Sequence, residues 1–347
     1  MAVAADARAL TCPQFNLILQ PEFPLNALIL ASDALRIANQ NSGRELFRWA
    51  FVSEDGTPVR ASNGMWFSAD CAIDAMPPAE VYLLFEGNLP TQRNSPALLG
   101  HLRAAARFGA MVGGVDTAAF ALAQAGVAGA DERAELVLHW EAVPTFKERF
   151  PQAALKEQIY LIADNRAHCA GGVATLDMML DLIERFDGQA LANEVANALV
   201  HSRREPSTRQ RSDALPGSEE RSLARRIVSV MERNLDFPLD LEGLAQELGV
   251  SQRTLSRVCK RTFGESPMRL YLHIRLQAAR NFLFYEEFSI KDVAIACGFS
   301  YPAVFSRVFK AEFGQTPRDF RARLRERQNL AIRPEIRRLI AGPGSPM

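Results

Sequence analysis

No run of 18 apolar residues occurs in the 347-residue sequence, so no membrane-spanning helix is expected. The opening MAVAADARAL lacks the charged, apolar and small-residue order of a secretory signal, and residues 1–12 read as a loose leader. Cysteine is scarce. The five present (Cys12, Cys71, Cys169, Cys259 and Cys297) are odd in number and unpaired in spacing, which argues against a disulfide scaffold and for a reducing cytoplasm. The five histidines form no ligand pattern with them, so no metal site and no cofactor is expected. Net charge is also lacking, with 40 Lys and Arg against 40 Asp and Glu, but that zero is the sum of unlike parts. Residues 1–200 carry a net −9 and residues 219–327 a net +5, the balance of an acidic regulatory region joined to a nucleic-acid-binding one.

What is present is a repeat. Leu241, Leu244, Ala245, Gly249, Val250 and Ser251 fall on Ile290, Val293, Ala294, Gly298, Phe299 and Ser300 at an offset of 49. After one inserted residue, Leu255, Arg257, Val258, Lys260, Phe263, Gly264 and Pro267 fall on Phe305, Arg307, Val308, Lys310, Phe313, Gly314 and Pro317 at an offset of 50. Each copy reads as a helix, a glycine turn and a second helix. Asp240 is placed to cap the first helix and Gly249 to end it, Ser251 starts the next, and Ser266 with Pro267 opens a longer helix to about Tyr285. On the second helix Leu255, Val258, Cys259 and Thr262 share one face, while Arg253, Ser256, Arg257 and Lys260 share the other. That is the pattern of a helix-turn-helix with a basic reading helix, and a pair of copies is far stronger evidence than one.

The stretches LGVSQRTLSRVCKRTFGESPMRLY and CGFSYPAVFSRVFKAEFGQTPRDFR resemble the AraC/XylS family of bacterial transcription regulators, from about Glu219 to Arg325. The resemblance implies a seven-helix unit that reads two successive major grooves of promoter DNA, tilts the function toward activation, and implies RNA polymerase as a further partner. Arg253, Ser256 and Arg257 sit where base edges are reached, and Lys260 and Lys310 where phosphate is. In the second copy Tyr301, Ser306 and Arg307 are the polar candidates, with Ala303 suited to a thymine methyl. The first copy is therefore expected to carry most base discrimination.

Upstream, Gln14–Leu19, Phe47–Ser53, Val81–Phe85, Ala110–Val115 and Gln158–Ala163 read as strands, and residues 26–40, 96–108, 117–125 and 173–186 as helices. The alternation predicts a doubly wound α/β N-terminal domain ahead of an all-α C-terminal domain with two helix-turn-helix units. A hairpin with its turn at Asp55 and Gly56 is expected to interrupt it. The domain plan is a leader over 1–12, the α/β domain over 13–202, a linker over 203–220, the DNA-binding domain over 221–325 and a tail over 326–347. Residues 201–221, rich in Ser, Pro and charge, have the chemistry of a solvated tether.

In GAMVGGVDTAAFALAQAG a buried strand runs straight into a helix with Asp116 at the junction, where hydrolases and amidotransferases hold a nucleophile. With LVLHWE and CAGGVATLDMMLDLIERF, this stretch resembles the class I glutamine amidotransferase-like, PfpI-type domain fused to AraC/XylS modules in one large group of regulators. The chain departs from the enzymes at the elbow, where a carboxylate replaces their Cys, so no enzymatic activity is expected. Asp116 either caps the helix beginning at Thr117 or belongs to a ligand pocket from which the chemistry has been removed. In the pocket reading, the backbone N–H groups of Thr117 and Ala118 hold a ligand carboxylate, Asp116 and Glu86 face its cation, and His139 and Trp140 line the wall. Regulators with this domain pairing sense betaines, carnitine or arginine. The resemblance thus implies a small amino or quaternary-ammonium metabolite. The expected function is a cytoplasmic, homodimeric, ligand-controlled regulator; the alternatives are an amidohydrolase fused to a DNA-binding unit, or an N-terminal domain that only dimerises, with Trp49 and Trp66 on its hairpin.

Overall fold

The computed structural model describes residues 12–87, 94–127, 135–210, 219–285 and 288–323; the leader before Cys12 and the tail from 326 lie outside them. The chain divides into two compact units that part at Gln210. In chain order the first runs β1 (Gln14–Leu19), α1 (Leu25–Ser42), β2 (Arg48–Ser53), β3 (Val59–Arg60), β4 (Trp66–Phe67) and β5 (Cys71–Ala72). It continues through β6 (Val81–Glu86), α2 (Pro96–Arg107), β7 (Met111–Asp116), α3 (Ala119–Gln124), β8 (Glu135–Leu136) and α4 (Val143–Arg149). β9 (Ala154–Leu155), β10 (Tyr160–Ala163), β11 (Arg166–Cys169), α5 (Ala174–Asp187) and α6 (Gln189–Ala198) complete it.

Seven strands form one sheet in the order β10-β11-β7-β6-β1-β2-β5, parallel throughout except for β10 against β11. Alternation decides what each face touches. Phe15, Leu17 and Leu19 of β1 and Val81, Leu83 and Phe85 of β6 join residues of α1, α5 and α6 in one core, where each fully buried side chain contributes roughly 1.5–3 kcal/mol. The other face packs on α3: at Gly114 a Cβ would stand 2.8 Å from that of Ala118, so only glycine admits the helix there. Phe120 of α3 and Phe146 of α4 meet edge-on at 4.9 Å on this side.

The strand order reverses between β1 and β6, which places a crevice at their C-terminal ends. One expectation for this unit needs correcting. The hairpin is β3–β4, turning through Ala61–Met65 (Ala61 N–H to Met65 O, 2.8 Å), whereas Asp55 makes a local turn by accepting from the Thr57 N–H at 3.0 Å. The stretch LVLHWE contributes only the two residues of β8, paired with β9 in a separate ribbon rather than in the main sheet.

The second unit comprises α7 (Glu219–Arg233), α8 (Leu241–Leu248), α9 (Gln252–Phe263), α10 (Pro267–Tyr285), α11 (Ile290–Ala296) and α12 (Pro302–Phe313), with a further helix over 317–323. Its local signals act as read. Asp240 accepts from Gly243 N–H at 2.8 Å and Ser251 from Thr254 N–H at 3.1 Å; Ser289 with Asp292, not singled out from the sequence, forms a reciprocal capping box. Gly249, Gly264, Gly298 and Gly314 all have left-handed φ at or beside helix ends. The inserted residue falls in the second turn, so Tyr301 takes the cap position of α12 and makes no side-chain cap, where Ser251 caps α9.

Helix α10 belongs to both copies. Its first half supplies Leu270, Tyr271 and Ile274 to a core with α7, α8 and α9; its second half supplies Leu276, Ala279, Phe282 and Leu283 to a core with α11 and α12. The repeat also begins earlier than the overlay suggests. Arg226 of α7 donates to Leu248 O at 2.9 Å, and Arg275 of α10 donates to Cys297 O at 2.8 Å and Gly298 O at 2.7 Å. Both arginines and both Leu248 and Cys297 are 49 residues apart. Each copy is thus a three-helix unit in which an arginine on the first helix clamps the end of the second.

Candidate functional site

Glu86 ends β6 and Asp116 ends β7, directly paired in register on the α3 face beside the crevice. Asp116 is held at φ +67°, the left-handed conformation that bulky residues avoid and that an elbow between strand and helix imposes. Surrounding protein strips water from its carboxyl and pushes its pKa up to about 8, with the neighbouring Glu141 charge adding to the rise. Gly171, at φ +88°, presses on it so closely that a Cβ there would lie 3.1 Å from Asp116 Oδ2. Glu86 is buried and raised as well, chiefly by desolvation, against which the Asn94 amide and the Ala121 N–H act. Its Oε2 has no hydrogen-bond partner among the described residues.

The proposed anion donors are already engaged. Thr117 N–H donates to Glu86 O at 3.1 Å, and Ala118 N–H turns back to Val115 O at 3.4 Å; both residues are fully buried. Thr117 Oγ1 donates to Gly87 O at 2.6 Å. Thr117 and Ala118 therefore spend these donors within the fold. Nor does Asp116 cap α3, whose cap position is Ala118 with no side-chain bond; the Ala121 N–H of its first turn faces the Glu86 carboxyl instead. The elbow is acidic, with its own donors spent on carbonyls and on a carboxylate.

His139 and Trp140 reach the elbow from the β8–β9 ribbon. His139 N–H donates to Asp116 O at 3.0 Å, which ties the segment to the elbow. His139 Nδ1 accepts from Glu141 N–H, leaving the ring proton on Nε2, and desolvation lowers the ring's pKa, so it stays neutral. The Trp140 ring lies 5.8 Å from that of His139 and is 39% exposed. An accessible indole beside the His139 ring suits a cation. One acidic residue escaped the sequence reading: Glu22, following β1, is 3% exposed at φ +65° with Arg60 3.8 Å from its carboxylate. Gly87 packs on its carbonyl, where a Cβ would lie at 2.3 Å. Its signal was a glutamate just past a buried strand at the crevice.

On the second unit, Arg253, Arg257 and Lys260 are exposed along α9 while Leu255, Val258 and Cys259 are buried beneath them, with Ser256 half-buried. Lys260 Nζ also donates to Gly264 O at 3.0 Å, closing the end of its own helix. On α12, Ala303, Arg307 and Lys310 are exposed and Ser306 half-buried over Phe305 and Phe309, and Tyr301 is 70% exposed at the start. The exposed faces of α9 and α12 differ in kind: Val304, 40% exposed, makes the second more apolar.

The helix-turn-helix domain model matches residues 244–323. The chain is 35% identical to the HTH-type transcriptional regulator CdhR of Pseudomonas aeruginosa over 89% of its own length and 91% of that protein. It is 36% identical to the HTH-type transcriptional regulator GbdR of Pseudomonas aeruginosa, over 88% of this chain and 83% of that one. A crystal structure of an AraC family transcriptional regulator from Pseudomonas putida is similar to 54% of the chain, over 99% of its own, at 26% identity and a TM-score of 0.49. With two helix-turn-helix copies behind an α/β unit of elbow type, and this likeness along nearly the whole length of named regulators, the chain belongs to the AraC-type transcriptional regulators.

Proposed function

We propose that the α/β unit binds a small amino or quaternary-ammonium metabolite at the Asp116 elbow, and that its occupancy controls how the second unit engages promoter DNA. The observation that carries this reading is the Asp116 carboxyl, held in left-handed backbone and paired in register with Glu86, with the segment of His139 and the accessible Trp140 tied to its carbonyl and the adjacent backbone donors already used. Such a site rewards a cation and offers nothing to an anion. In this reading the regulator acts in the cytoplasm as a homodimeric activator alongside RNA polymerase.

The pKa of Asp116 makes the proposal measurable. Below about pH 8 the free carboxyl is protonated, so a permanent cation binds by expelling that proton. Affinity for glycine betaine or carnitine, whose ammonium does not titrate, should rise about tenfold per pH unit up to that point and then level off. Calorimetric titration at several pH values reads this directly. The two compounds and arginine should each be tested first for a shift in the melting of the full chain. Affinity that stays flat between pH 6 and 9 would remove Asp116 from the site.

On DNA, Arg253→Ala or Arg257→Ala should cost roughly 1–3 kcal/mol at particular base pairs, whereas Lys260→Ala should weaken all sequences alike. Binding-site selection followed by titration against point-substituted sites separates the two patterns. Uniform losses from all three would contradict the assignment of α9 as the main reader.

A further inference from the structure

The stretch from His201 to Gln210 has the composition of a free tether, yet it lies against the α/β unit. Its anchor is Asp177, on the buried face of α5 with no side-chain exposure. That carboxylate accepts four hydrogen bonds: from His201 Nε2 at 2.8 Å, and from the Arg204 backbone N–H, Nε and Nη2 at 2.9, 2.9 and 2.7 Å. Arg203 reaches Glu184 of the same helix at 2.6 Å. Further on, Ile159 N–H donates to Thr208 O at 2.9 Å, and Gln158 and Arg209 form a bridge.

The strap then ends on the ligand elbow. Gln210 Nε2 donates to Leu138 O at 2.8 Å and to Gln158 O at 2.9 Å, and its Oε1 accepts from Trp140 N–H at 2.9 Å. The residue before Trp140, His139, is tied to Asp116. One side-chain amide therefore holds the Trp140 wall, and that amide belongs to the last residue before the chain leaves for the DNA-binding unit.

We propose that residues 201–210 are the transmission element of this regulator: Gln210 is a positioning residue of the ligand site, and docking of the strap and ordering of the Trp140 wall are one equilibrium. This rests on the reading that the elbow takes a ligand. A ligand that fixes Trp140 in its docked position favours the docked strap, and the tether to the DNA-binding unit then begins at Gln210. A ligand that displaces Trp140 frees Gln210, and the tether then begins near His201. The coupling is reciprocal, so loosening the strap must disturb the wall. A buried carboxylate with four donors gives the docked state its stability, and the two side-chain amide contacts to the loop carbonyls give it direction.

Hydrogen exchange on the full chain tests this without any small molecule. Arg204→Ala removes the strap's guanidinium from Asp177 while leaving the sheet and α5 intact, and Asp177→Asn removes the charge itself. In both, the amides of Ile159 and Trp140 should exchange about tenfold faster or more, and tryptic cleavage after Arg209 should accelerate in step. The His139 amide, bonded to Asp116, reports whether the elbow itself is intact. Because Asp177 is fully buried, Arg204→Ala is the deciding variant should Asp177→Asn fail to fold. Faster exchange over 201–208 with an unchanged Trp140 amide would overturn the proposal. Its failure is distinct from failure of the ligand reading, which shows as no shift of melting by betaine, carnitine or arginine while the exchange coupling stands.

Discussion

Asp116→Asn should make the α/β unit more stable at alkaline pH while abolishing its response to a cationic metabolite. The folded pKa of about 8 lies above the ordinary 3.8, so the folded state holds a proton that the unfolded chain has released between those values. Stability contributed by this group is full below about pH 4 and is lost as pH rises through 8. Asparagine keeps the shape, tolerates the left-handed backbone and carries no charge to bury. The gain should be absent near pH 4 and reach on the order of a few kcal/mol at pH 8–9, at roughly 2–4 °C per kcal/mol for a domain of this size. Thermal melts of both proteins from pH 4 to 9 would check it. Parallel curves would mean that Asp116 is already solvated, and the elbow would lose its claim to store functional strain.

Gly298→Ala should cost the second unit about 2–4 kcal/mol, whereas Gly249→Ala should cost about 1. The two glycines hold the same place in the repeat, with φ +71° and +66°, so the backbone penalty is shared. Their surroundings differ. A Cβ at Gly249 meets nothing within 4 Å, but at Gly298 it would stand 2.5 Å from Leu235 O and 2.6 Å from Pro238 Cδ in the loop between α7 and α8. That loop is pinned from behind by Tyr271, whose hydroxyl donates to Asn234 O. The second turn is thus wedged against the first repeat, and an added methyl must displace backbone. Chemical denaturation of both variants, scored on the DNA-binding unit's transition, would show the asymmetry. Equal losses would show that the loop yields freely.

Much of this was legible because it is local. Asp240, Ser251 and the helix-ending glycines act within a turn or two of their own position, so residue type and spacing suffice. What escaped depends on partners remote in sequence. The donor of Thr117 looks available until the carbonyl of Glu86 is placed beside it. The composition of 201–210 describes a tether, and nothing within it reveals the socket. The clue was an aspartate among the apolar positions of TLDMMLDL, 24 residues before the histidine it receives. The Arg226 and Arg275 clamps were hidden differently: their offset is the repeat's own, but one arginine on a helix of many carries no motif.

Helix α10 ties the spelling of the protein to the geometry of its target. At 19 residues and 1.5 Å per residue it is about 28 Å long, and its two halves are cemented into two different cores. The angular phase between the reading helices is therefore set by the count of residues between Tyr271 and Leu276. One residue gained or lost there would turn one reader by about 100° relative to the other. Operator spacing can thus change little by deletion or insertion in this helix. On the proposed assignment of α9 and α12 as readers, the side chains they present can change sequence preference while the distance between the two helices stays put.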